Sequence, residues 1–147
     1  MDLAALRAEL ENDPTGMGYA PLVNSADDIA VANLLNSLTS PGAGTVTIPV
    51  LTRGQFLLNV VAPVGANLLG ATDQLKAKWT FYLDLAKASE EIHVTSPVIQ
   101  GLLASLVADG IATQAEIDAV TKRVGSRAEV LFGADIKVTP EHVGAAR

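Results

Sequence analysis

Apolar residues recur along this chain at helical spacing, in short runs separated by strong punctuation. Leu3, Leu6 and Leu10 share one face of a helix over residues 2–12, which Asn12-Asp13-Pro14 ends. A tight turn follows to Tyr19: proline fixes φ, Gly16 and Gly18 permit positive φ, and Tyr19 packs back on the helix. Ile29, Ala32, Leu35 and Asn36 form the inward stripe of a second helix, widened by Val31 and Leu34. Phe56, Leu57, Val60 and Val61 mark a third, stopped at Pro63. The fourth and longest, about 73–88, places Leu75, Trp79, Tyr82, Leu83 and Ala86 on one face with Phe81 and Leu85 beside it. A fifth over 97–108 carries Val98, Leu102, Leu103, Leu106 and Val107, and Asp109-Gly110 ends it. Shorter helices are expected at 114–123, 126–132 and 140–146.

Between the helices the pattern changes. Thr45–Leu51 alternates and is β-branched, as is Ile92–Thr95, and Ile136-Lys137-Val138 is a third extended run. Pro49 confines its segment to an edge. A strand in a helical domain must pair its backbone internally or add to a neighbouring chain. Val46, Ile48, Val50, Ile136 and Val138 are therefore the expected partner-contact residues. The fold class read from the sequence is mainly α: one compact domain, residues 1–147, of about eight short helices with one or two short extended segments.

Seven helix-start signals support that count. Ser25–Asp28, Thr52–Gln55, Thr113–Glu116 and Ser126–Glu129 fit or approximate the capping box, in which a hydroxyl caps the N3 amide and the N3 side chain reaches back. Ser96-Pro97 and Thr139-Pro140 pair a capping hydroxyl with proline at N1. Thr72-Asp73 adds a cap with an acid in the first turn.

Composition narrows the function classes. Apolar residues make up 49 % of the chain but aromatics only 4 %, so Ala, Leu, Val and Ile must build the core, which favours close helix packing over a large ligand cavity. Net charge is −6, with six acids against Arg7 alone in residues 1–50 and five bases against three acids in residues 120–147. That balance argues against nucleic acid as a partner. The absence of cysteine removes thiolate catalysis and zinc–thiolate sites. Phe56–Leu69 is interrupted by Asn59, Pro63, Gly65 and Asn67 and is too short to span a membrane.

No residue pattern carries catalysis, a cofactor or a metal. His93 and His142 stand outside any zinc-ligand spacing. Glu90 and Glu91 beside His93 form only a loop cluster, and Gly16-Met17-Gly18 lacks the strand and helix of a dinucleotide fingerprint.

Two passages resemble a known family. Leu6-Arg7-Ala8-Glu9-Leu10, then Asn12-Asp13-Pro14 and Gly16-Met17-Gly18-Tyr19-Ala20, is similar to the opening of a family of small tailed-bacteriophage proteins, with its "LKAEL" helix and "NDPLGRGYA" turn. Gly125–Gly133 with Val138–Val143 resembles that family's ending, a "SRAEELG" turn and a "VT..DV" helix. Thr15 and Met17 stand where the family has Leu and Arg, and the loop at 39–44 is atypical. The resemblance implies a phage structural-gene context and supplies no functional residues. It leads to the expectation of a non-enzymatic virion structural protein, on the tail, the neck or the capsid surface. Its expected partners are other virion proteins and copies of itself, with no nucleic acid, membrane or small-molecule substrate. Its expected location is the virion, and the host cytoplasm during assembly. The alternatives are a morphogenesis factor not retained in the particle, or a small ligand-binding domain.

Overall fold

A computed structural model describes the backbone of all 147 residues and every side chain except those of Pro63, Ala66, Tyr82, Leu85 and Ala86. The fold is mainly α, 61 % helical with only short strands. The chain gathers into two compact units. Residues Met1–Val46 and Val124–Arg147 form the first, and Thr47–Arg123 form the second.

In the first unit α1 (Leu3–Asn12) is capped by the Asp2 carboxylate, which accepts from the amides of Ala4 and Ala5. Asp13 ends α1 in the left-handed region at φ 40°, a conformation that Asp tolerates better than most residues. Its carboxylate then accepts from the amides of Met17 (2.6 Å) and Gly18 (2.7 Å), closing the turn that proline and glycine encode. Gly18, at φ +81°, starts α2 (Tyr19–Asn24), a helix where only a packed turn was expected.

That added helix displaces one expected cap. Ser25 sits at the end of α2 and donates its hydroxyl back to the Leu22 carbonyl, so the cap of α3 (Asp28–Asn36) falls to Asp27, which accepts from Ala30. Val31, Ala32 and Leu35 of α3 are buried, while Ile29 in its first turn is 64 % exposed. The core of this unit joins them to Leu6, Leu10, Met17 and Tyr19 near the start of the chain. From its end come Ala128 of α9 (Arg127–Phe132), Val138, and Val143 and Ala146 of α10 (Pro140–Ala146).

The extended run spans the change from the first unit to the second, and Ile48-Pro49 breaks it in two. β1 (Gly44–Thr47) pairs with β4 (Lys122–Gly125), and β2 (Val50–Thr52) pairs antiparallel with β3 (Glu91–His93). The register of the second pair is Val50 opposite His93, Leu51 opposite Ile92 and Thr52 opposite Glu91, which turns Leu51 and Ile92 together into the core.

From the Thr52 capping box α4 (Arg53–Phe56) runs into a π-helical turn (Leu57–Val61), α5 (Ala62–Asn67) and a 3₁₀ turn (Leu68–Gly70). The helical path thus continues beyond residue 63, where the third helix was expected to stop and residues 64–71 to form a short connector or a helical turn. Proline has no N–H, and a helix passes one most readily where its hydrogen-bond ladder is already loosened. The π turn, in which the Ala62 amide bonds the Leu57 carbonyl, loosens it immediately before that position.

Trp79 of α6 (Asp73–Lys87) is buried, Leu75 and Leu83 pack beside it, and Phe81 is 65 % exposed. Tyr82, Leu85 and Ala86 of the expected stripe lie outside the described side chains. Ser96 and Pro97 start α7 (Pro97–Ala108) as their pairing implies, and Ile99, Leu102, Leu103 and Leu106 face the core while Val98 faces solvent. The Thr113 capping box starts α8 (Gln114–Thr121), which stops two residues short of its expected end because Lys122 enters β4.

Candidate functional site

The densest polar arrangement lies in the first unit and joins the two family-like passages. Glu9, on the inner face of α1, is 4 % exposed. Its carboxylate meets the Arg127 guanidinium side-on: Nε donates to Oε1 at 2.8 Å and Nη2 to Oε2 at 2.6 Å. The fully buried Tyr19 donates its hydroxyl to Oε1 at 3.1 Å. A buried carboxylate needs such donors, and a bidentate arginine supplies two at fixed geometry.

Burial, with the Glu9 charge beside it, pushes the Tyr19 hydroxyl well above the ordinary phenol range. The Glu9 hydrogen bond holds the Arg127 guanidinium still more firmly charged. The Tyr19 hydroxyl therefore stays protonated and the Arg127 guanidinium charged through neutral pH. The arrangement locks two distant segments together.

The surroundings are equally committed. Glu129, which completes the Ser126 capping box through Oε2, uses Oε1 to accept from the Asp135 amide at 2.9 Å. Gly42 approaches so closely that a Cβ there would lie 2.8 Å from Arg127 Cδ and 3.0 Å from the Met17 sulfur. The Asn36 side chain imitates a strand neighbour: Nδ2 donates to the Val138 carbonyl at 2.7 Å, and Oδ1 accepts from the Val138 amide at 3.0 Å. Asn36, placed by its spacing on the inward stripe of α3, is thus an internal clamp. Arg7 Nε donates to the Ala146 carbonyl at 2.7 Å, placing a cation at the negative end of α10.

The five expected partner-contact residues fall on both units. Val46 and Val138 are buried, at 7 % and 2 % exposure. Backbone pairing accompanies that burial: β1 pairs with β4, and Asn36 takes the backbone of Val138. Ile48 and Val50, in the second unit, are half-buried. Ile48 donates its amide to the Thr121 carbonyl at 2.8 Å, and Val50 lies opposite His93. Ile136 alone of the five is exposed, at 40 %. It lines an open groove of about 520 Å³ with Met1, Leu131, Phe132, Lys137 and His142.

The two histidines belong to different units. His93 is exposed on β3, whereas His142 fills the N3 position of a capping box, its Nδ1 accepting from the Thr139 amide at 3.1 Å. Among the described residues no three His, Cys, Asp or Glu side chains are grouped to hold a metal ion, and no helix is long and apolar enough to cross a membrane.

Sequence reasoning missed the Glu9–Arg127 pair because 118 positions separate its members and neither has a local motif. The one signal was that both fall in the passages resembling the phage family. Compared with family models, curated proteins and solved structures, the chain matches none.

Proposed function

We propose that this chain is a non-enzymatic structural subunit of a tailed-bacteriophage particle, carried on the tail, the neck or the capsid surface. It works through contacts with other virion proteins and with copies of itself, and it passes through the host cytoplasm during assembly. The observation that supports this reading is the Glu9–Arg127–Tyr19 lock. The residues resembling the phage family's opening and ending are distant in sequence, yet they fold into one unit and bond to each other. The family-like pattern therefore describes one folded object. The Glu9, Tyr19 and Arg127 groups are engaged in holding that object together, which suits a building block.

Mass spectrometry of purified particles of the encoding phage tests the proposal. The chain is expected at a copy number matching a symmetric ring or lattice. Its absence from finished particles, with presence in infected cells, would replace this reading with that of a discarded morphogenesis factor.

A further inference from the structure

We infer that the helical path Arg53–Gly70 is a self-association surface, on which two copies of this chain pair antiparallel about a two-fold axis. One face of the path, carrying Phe56, Val60, Val64 and Leu68, enters the core of the second unit. Another face carries Leu58, Ala62, Gly65 and Leu69, all exposed, the two leucines at 73 % and 85 %. No charged residue occurs between Arg53 and Asp73. Leucines so exposed on an uncharged helix face mark a surface that another apolar surface covers.

Three observations make a second copy the occupant. The face is its own mirror along the helix: Leu58 and Leu69, like Ala62 and Gly65, are centred between residues 63 and 64. A two-fold interface brings the same patch to itself, so an antiparallel crossing at that centre sets each leucine near its counterpart and small residues against small residues. The ends are complementary in charge. Arg53 and Asp73 flank the stretch almost symmetrically in sequence and both are exposed; within the chain Arg53 donates to the Lys87 carbonyl at 3.3 Å and Asp73 lies 3.8 Å from Lys76, exposed contacts that each copy exchanges as it brings its Arg53 toward the other's Asp73. Finally, Gly65 has no internal reason to be glycine. It lies inside α5 without positive φ, and a Cβ added there would meet nothing within 4 Å. Glycine weakens a helix interior relative to alanine, and a close helix–helix approach at that point accounts for its presence.

This deepens the structural-subunit reading by naming the surface of self-contact. The two fail separately, because a subunit found in particles need not pair through this helix. The test is the solution mass of the full chain by analytical ultracentrifugation over a concentration series, with thermal unfolding alongside. A dimer is expected. Gly65→Ala should raise the thermal midpoint of the dilute, monomeric chain yet weaken association at least tenfold, because a methyl group helps the helix and obstructs the crossing. Gly101→Ala, at another open helix-interior glycine, should give the first effect without the second. Leu58→Lys with Leu69→Lys should abolish the dimer. Arg53→Asp and Asp73→Arg should each weaken it, and the two together should restore it. A monomer at every concentration, or a dimer indifferent to Gly65→Ala and to the lysine pair, overturns the inference. So does a Gly65→Ala chain of lower thermal midpoint, which would show that the face packs against this same chain.

Discussion

The Arg127 guanidinium lies side-on against the Glu9 carboxylate, two hydrogen bonds of 2.8 and 2.6 Å spanning 118 positions of sequence. Both side chains are nearly out of water, Arg127 at 13 % and Glu9 at 3 % side-chain exposure. Removing one member strands the other's charge, which for a buried pair costs about 3 kcal/mol or more. Arg127→Met and Glu9→Leu are each expected to destabilise the chain by that amount in urea unfolding. The double variant should recover much of the loss, since apolar replacement of both partners leaves no stranded charge. Hydrogen exchange should place the loosening in residues 1–46 and 124–147. Single variants within half a kcal/mol of the parent would show that the pair is not the lock described.

Asn36 holds both backbone groups of Val138 with one amide. Asn36→Ala leaves a half-buried N–H and C=O without partners, for an expected loss of about 1–3 kcal/mol. Asn36→Asp is the sharper variant: it keeps an oxygen for the Val138 amide but turns a negative charge toward the Val138 carbonyl, and it should destabilise more than alanine. The Val138 amide should lose exchange protection in both. Retained protection there would mean that the amide is held by something other than Asn36.

Gly125 and Val46 pack against each other so tightly that a Cβ on Gly125 would lie 2.7 Å from both Val46 γ-carbons. Valine has one stiff torsion and cannot move either methyl away cheaply. Gly125→Ala is therefore expected to destabilise by about 1–3 kcal/mol, the usual range for overpacking. Val46→Ala in the same chain should return part of that loss. Additive losses in the double variant would argue that Val46 faces elsewhere.

What the sequence revealed of this fold follows the range of the forces involved. The boxes at Thr52, Thr113 and Ser126 and the caps at Ser96 and Thr139 form within three or four residues, and each is legible in the sequence, though not the box that His142 completes at Thr139. Ser25 was misread because its hydroxyl had two suitors, and the unforeseen α2 claimed it from the N-terminal side. Position 63 was misread because a π turn, which has no simple sequence mark, lets the helix pass. The extended runs were visible from their β-branched residues, but not their partners, since pairing β1 with β4 is a long-range choice. The candidate site was the least legible, as the Glu9–Arg127 pair and the Asn36 clamp each reach across more than a hundred residues.

The capping box of α8 sets a pH dependence whose sign is fixed. The Thr113 amide donates to Glu116 at 2.7 Å and its hydroxyl at 2.8 Å, and these bonds, the amide's first, hold the Glu116 carboxyl below the usual carboxylate range. Asp118 is lowered likewise, first by its hydrogen bond from Lys122 and then by that from Gln114. A carboxylate depressed in the folded chain stabilises it fully above the unfolded-state value, where both states are ionised. As pH falls the unfolded chain takes up the proton first, and the contribution is gone once pH has passed below the folded-state value. Stability should therefore fall from neutral pH to about pH 3, and the Glu116→Gln chain should lose less over that interval, because its N3 amide oxygen still accepts but no longer titrates. Urea midpoints measured across the range decide it. Equal losses in the parent and the variant would remove Glu116 from the groups that couple this fold to pH.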